Sequence, residues 1–218
     1  MVNFNAIDEI KDHLKSTDIL VCVSKKQNIE TIKSTYEFGM RDFGENVVSE
    51  FVLKFQELPN DIRWHFIGHL QSNKVKQIIG KTFLIHSLDR ISLLKQLENH
   101  SEKLNLITNA LIQVNISKEP QKGGVLLEDI ETLLEAVEEC KYLKVKGLMA
   151  IGSTDLNETR EEFRKLKEKW DEIGELEFKN IKMEYLSMGM SNDYKLALEC
   201  GSNLIRVGTH IFGSGNKE

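Results

Sequence analysis

The stretch ILVCVSKKQ, residues 19–27, decides the fold. Ile19 to Val23 form an unbroken apolar run of strand length, which suits a strand buried on both faces, as in parallel sheets. The chain then continues through Ser24, Lys25, Lys26, Gln27 and Asn28, with no glycine. An open doubly wound sheet would normally carry a GxGxxG turn at this place, so the segment points to a closed barrel instead. Working outward, similar short runs recur: MRDFG (40–44), WHFIG (64–68), FLIHSL (83–88), ALIQVN (110–115), VKGLMAI (145–151), EYLSMG (184–189) and NLIRVG (203–208). With ILVCVS (19–24) they make eight expected strands.

Helical periodicity fills the gaps, at 28–38, 45–58, 70–79, 89–103, 125–140, 158–173 and 192–200, with an extra helix at 3–15 ahead of the first strand. In 125–140, Val125, Ile130, Leu133, Leu134 and Val137 fall at three- and four-residue spacing while acidic residues take the other faces, the pattern of a helix lying on a sheet. Strand–helix alternation implies parallel strands with right-handed crossovers, and eight such units predict a (β/α)8 TIM barrel, compact against the usual ~250 residues. With two prolines and no Gly/Ser-rich linker, residues 1–218 read as a single domain.

Composition excludes several classes. Hydrophobic residues at 40% and charged residues at 29% indicate an ordinary globular chain. The apolar runs are far shorter than a bilayer span. The acidic, amphipathic start lacks the basic and apolar segments of a signal peptide, so a cytoplasmic protein is expected, with no membrane partner. The net charge of −5, with acids and bases interleaved, speaks against nucleic acid. Cys22, Cys140 and Cys200 are widely spaced and read as buried reduced thiols. His65 and His69 are four apart, but they sit in a strand pattern with no acidic residue to complete a metal set.

Active sites of such barrels lie at the C-terminal strand ends. Lys25 comes after Ile19, Val21 and Val23 on one face of the first strand, which predicts an amine in a partly desolvated mouth, where a neutral lysine is a nucleophile for carbonyls. Arg206 interrupts the apolar eighth strand and needs an acceptor; strands one and eight are neighbours in a closed barrel, so both cations can face one ligand. Gly189 to Asn192, with Ser191 or Asn192 as an N-cap, and Gly208-Thr209 offer backbone N–H groups after strands seven and eight, where barrels often bind phosphate. A lysine amine, a phosphate cradle and an arginine together suggest pyridoxal 5′-phosphate (PLP), its aldehyde on Lys25 and its ring nitrogen at Arg206. An arginine there keeps the ring nitrogen unprotonated and disfavours broad carbanion chemistry.

The runs VSK (23–25), FGEN (43–46), WHFIGHLQSNK (64–74), HSLDR (86–90), GLMAI (147–151), SMGMSND (187–193) and IRVGTHIFG (205–213) resemble those of the pyridoxal phosphate homeostasis proteins, in order and over nearly the whole chain. The resemblance implies a barrel like the alanine racemase N-terminal domain and PLP held as a Schiff base on Lys25. It also implies phosphate contacts from Ser191, Gly208 and Thr209, the ring nitrogen near Arg206, and Asn46 and Met149 lining the pocket. Where the family usually reads TKP after its lysine, this chain has Lys26-Gln27-Asn28.

Racemases of this fold carry a second, all-β domain with a tyrosine acid/base, whereas this sequence ends at Glu218 soon after its eighth strand. Tyr36 and Tyr142 fall on helix exteriors by periodicity, Tyr185 starts a strand away from the site, and Tyr194 reads as a packing residue. The expectation is a monomeric carrier that releases PLP to PLP-dependent apoenzymes without turnover. The alternative is a weak amino-acid racemase or a Schiff-base aldolase of the same barrel class.

Overall fold

The computed structural model describes residues 2–213; Met1 and residues 214–218 of the expected domain lie outside the described residues. Eight parallel strands, β1 (Ile19–Val23), β2 (Asp42–Glu45), β3 (Arg63–Phe66), β4 (Leu84–Leu88), β5 (Thr108–Val114), β6 (Leu143–Ala150), β7 (Ile181–Ser187) and β8 (Leu204–Val207), close in sequence order into a barrel. Closure is made by β1 and β8, paired from Ile19↔Leu204 to Cys22↔Val207. The helices α1 (Phe4–Lys11), α2 (Ile29–Glu37), α3 (Val48–Glu57), α4 (Ile91–Leu104), α5 (Ile130–Glu138), α6 (Leu156–Gly174), α7 (Tyr194–Glu199) and α8 (Thr209–Phe212) accompany the strands. The expected TIM barrel with an extra N-terminal helix is what the chain forms.

Local chemistry sets the elements. The Asn3 side chain caps α1 by accepting from Ala6 N–H at 3.2 Å, and Ile7 and Ile10 are fully buried beneath it. Asn28 does the same for Thr31 at the start of α2, and Asp155 for Asn157 at the start of α6.

Two expected helices differ. Residues 70–79 contain a 3-10 helix, Ser72–Gln77, with buried Val75 and Ile78 three apart as three residues per turn requires. Residues 125–140 start later, because Val125 bridges to Val114 beside β5; a 3-10 turn at Leu127–Asp129 then leads into α5. Tyr142 lies in the bend before β6 rather than on a helix.

The barrel has two kinds of interior. Helices and sheet enclose a large apolar layer that includes Phe43, Phe51, Trp64, Phe66 and Phe163. Inside the strands sits a small apolar cluster of Val21, Leu84, Leu111, Met149 and Leu204. With it are buried His65 and His86, 2.9 Å apart between Nδ1 and Nε2, and His65 Nε2 lies 2.9 Å from Asp42 Oδ1. β6 kinks where its register with β7 shifts, at Gly147 (φ +141°).

Both the kink and the buried histidines can be tested by unfolding. Gly147→Ala would place a Cβ against the Tyr185 backbone in a conformation that L side chains rarely adopt, so denaturant unfolding should show a loss of about 3 kcal/mol or more. Burial pushes both histidines below their ordinary value, His86 further because His65 and Arg206 add to the effect, and in His65 Asp42 opposes it. The native core therefore refuses protons that the unfolded chain accepts below about pH 6.5. Stability is fully present above that pH and falls as pH drops toward the depressed native values, by roughly 1.4 kcal/mol per pH unit for each histidine. Urea midpoints at pH 7.5 and 5.5 should show the drop, smaller in His86→Gln.

Candidate functional site

All the strands point their C-terminal ends to one mouth, and the sequence-predicted residues meet there. Arg206 stands opposite Val21 in the β1–β8 pair. Just beyond it, Gly208 comes so close to β1 that an added Cβ would lie 3.2 Å from Val23 Cβ. Lys25 is two residues past Val23, so the two expected cations belong to one seam.

Lys25 itself corrects one expectation. It is exposed, in a turn immediately after β1, so burial does not supply the desolvation that its position on the strand suggested. The turn is nonetheless tightly made. Gln27 N–H donates to the Ser24 carbonyl at 3.0 Å, and Lys26 adopts a left-handed conformation (φ +60°) with its N–H donating to Glu50 Oε2 at 2.8 Å. Beneath lies Lys54, 5% exposed, whose Nζ donates to the Ser24 carbonyl (2.9 Å), Glu45 Oε1 (2.8 Å) and Glu50 Oε2 (3.1 Å). Ser24 Oγ also donates to Glu45 Oε1, at 2.6 Å.

Desolvation raises the Glu45 carboxyl against the pull of Lys54 and Ser24, and its second oxygen is buried without a partner. Sequence reading missed this cluster. Its available signals were Glu45 at the end of the second strand and the Glu50–Lys54 spacing of four on a helix.

Asn46 lies just past β2, half-buried, with its Oδ1 fully buried and unpartnered; Gly68 packs so closely on it that any Cβ there would overlap the Asn46 backbone. Met149 is fully buried in the inner cluster, paired in register with Gln113 and Ser187. Ser191 Oγ accepts from the N–H groups of Gly208 (3.3 Å) and His210 (3.4 Å), joining the loops after β7 and β8. Thr209 is exposed at the start of α8. The N-cap of α7 is Asp193 rather than Ser191 or Asn192, and its Oδ1 accepts from Met190 N–H, which folds the loop back on itself.

Arg206 is the buried centre of the mouth, 4% exposed. Its hydrogen bonds run to uncharged acceptors, Ser187 Oγ and the Ala150 carbonyl (3.0 Å). Burial lowers its guanidinium to about 10, with the Asp193 charge opposing. Ser187 in turn lies 3.1 Å from His86 Nδ1, which connects the mouth to the histidines below. His69 is exposed near Asp89 at 3.5 Å, apart from His65, which is buried inside the barrel.

An anionic aromatic ligand fits this constellation. The N–H groups gathered by Ser191 suit a phosphate, the buried guanidinium suits an electron-rich ring nitrogen, and the orphan Asn46 oxygen is an acceptor awaiting a donor.

The family model for the alanine racemase N-terminal domain matches residues 5–216. The pyridoxal phosphate homeostasis protein of Aquifex aeolicus is 43% identical over 197 residues, covering 89% of this chain and 86% of that protein. The protein of the same name from Schizosaccharomyces pombe is 41% identical over 202 residues, covering 90% of this chain and 84% of its own length. Among solved structures, PipY of Synechococcus elongatus with PLP bound superposes with a TM-score of 0.86 at 30% identity, covering 96% of this chain and 99% of PipY. Alanine racemase of Streptomyces coelicolor superposes with a TM-score of 0.76 at 15% identity, covering 95% of this chain and 57% of the racemase, a likeness of fold alone. By the extent and identity of these matches, the chain belongs to the pyridoxal phosphate homeostasis protein family, built on the barrel of the alanine racemase N-terminal domain.

Proposed function

We propose that this protein binds PLP as a Schiff base on Lys25 and releases it to PLP-dependent apoenzymes, as a monomeric cytoplasmic carrier without catalytic turnover of its own. The observation that carries the reading is Arg206, a buried guanidinium bonded only to uncharged groups, at the end of a barrel it shares with Lys25 and the Ser191–Gly208 cradle. In this reading Ser191, Gly208 and Thr209 hold the phosphate, Arg206 donates to the ring nitrogen, and Asn46 and Met149 line the pocket. The cofactor supplies an aldehyde for reversible bonding to amines and a ring that can accept electrons. Arg206 weakens the second capacity, because a guanidinium donates a hydrogen bond without giving up the proton.

The tyrosines support a carrier over an enzyme. Tyr194 is 4% exposed and packs edge-on to His13 in the turn after α1, and Tyr185 lies against Phe83 toward the opposite end of the barrel. Neither is placed as the proton donor a racemase needs at the substrate Cα. PipY, with PLP bound, is a relative at 30% identity over almost its whole length.

Purified protein mixed with PLP should develop a visible absorption band, and borohydride should fix the cofactor mass on the peptide containing Lys25. Lys25→Ala should lose both signals while keeping its thermal transition. Absence of the band at saturating PLP would overturn the reading. With alanine in deuterated water the loaded protein should leave the Cα proton unexchanged; exchange would favour the racemase.

A further inference from the structure

Five side chains form one hydrogen-bonded string through the barrel, from the mouth to the opposite face: Arg206, Ser187, His86, His65 and Asp42, the last also bound by Arg63. Asp42 and Arg63 are the first residues of β2 and β3, so they sit at the strand starts, away from the mouth. His65, His86 and Ser187 are fully buried.

Full burial keeps both imidazoles neutral, and with one proton on each ring the chemistry of the two ends determines every proton between them. A guanidinium only donates, and a carboxylate held against Arg63 only accepts. His65 must therefore present Nε2–H to Asp42 Oδ1 (2.9 Å), which leaves its Nδ1 as an acceptor. His86 must then present Nε2–H to that nitrogen (2.9 Å), which leaves its own Nδ1 as an acceptor for the Ser187 hydroxyl (3.1 Å). With its hydrogen committed to His86, Ser187 turns lone pairs to Arg206 Nη1. One arrangement satisfies all four contacts, and it runs in one direction, each group donating away from the mouth.

We propose that Asp42, His65, His86 and Ser187 are positioning residues for Arg206: the carboxylate on the far face fixes the two histidine tautomers and the serine rotor, and these hold the guanidinium in one donor orientation for its ligand. That ligand is PLP, so the effect on affinity rests on the proposed function, whereas the tautomer order does not depend on it. His65 and His86 take no part in proton transfer with the ligand in this scheme. Their role is to carry polarity from one end of the barrel to the other.

The test uses full-length protein without ligand, labelled with nitrogen-15 in histidine and arginine. NMR should show His65 and His86 both as Nε2–H tautomers, and slow exchange of the Arg206 Nη protons. Asp42→Asn should turn its amide oxygen to Arg63, which can only donate, and its NH2 to His65, so both tautomers should reverse to Nδ1–H, and Arg206 exchange should speed up. In Ser187→Ala the histidines should keep the wild-type tautomers. PLP affinity, measured on the same proteins by fluorescence titration, should fall on the order of fivefold in Asp42→Asn, and the Asp42→Asn change should have little further effect in the Ser187→Ala background.

Mixed or Nδ1–H tautomers in the wild type would overturn the proposal. So would Asp42→Asn leaving both histidines unchanged, or equal affinity losses with and without Ser187. A wild type that shows the tautomer order but takes no PLP would count against the proposed function alone, and Arg206 exchange would still report the positioning.

Discussion

Everything at the mouth depends on the seam where β8 meets β1. Without the pairing from Ile19↔Leu204 to Cys22↔Val207 the sheet would have two open edges, and Arg206 would be a charged residue on an exposed strand. Closure removes both edges, buries the guanidinium, and brings it beside the turn that carries Lys25. The near contact of Gly208 with Val23 belongs to the same seam: a Cβ at 208 would press on Val23 at 3.2 Å, next to the N–H that donates to Ser191. The two lysines at the end of the first core strand are therefore explained by where that strand ends, at the mouth of a closed barrel.

Burying so many polar groups in so small a barrel would be costly if any lacked a partner. Nearly all have one. Lys54 satisfies Ser24, Glu45 and Glu50 at once, and the string from Arg206 to Asp42 is continuous. Among the described residues the buried orphans, Glu45 Oε2, Asn46 Oδ1, Ser87 Oγ and Tyr194 Oη, are few, and two of them fall at the end of β2 beside the Lys25 turn. Polar atoms left over in that place are consistent with a site that completes its bonding with something other than protein.

Much of this is readable in the amino-acid order. Strand-length apolar runs and helical periodicity are local signals, so all eight strands and their closure can be expected, along with the grouping of Lys25, Ser191, Arg206 and Gly208 at strand ends. Geometry across the barrel is not readable. His65 and His86 are far apart in sequence and meet only because β3 and β4 are adjacent and both side chains point inward; read locally, His65 offers only His69 as a metal partner. The exposure of Lys25 escapes sequence reading for a related reason. Alternation along a strand sets which side a residue faces, but β1 stops at Val23 and the chain turns before the pattern can carry Lys25 inside.

The polar string also constrains how this barrel can drift. A change at Asp42, His65, His86 or Ser187 taken singly leaves a buried donor or acceptor without its partner or reverses the tautomers along the string, so each position is tied to its neighbours. Substitution by mutation should then proceed in matched sets, or by replacing the whole string with apolar side chains of similar volume. The far face of the barrel, remote from the mouth, is in this sense as hard to alter as the mouth itself.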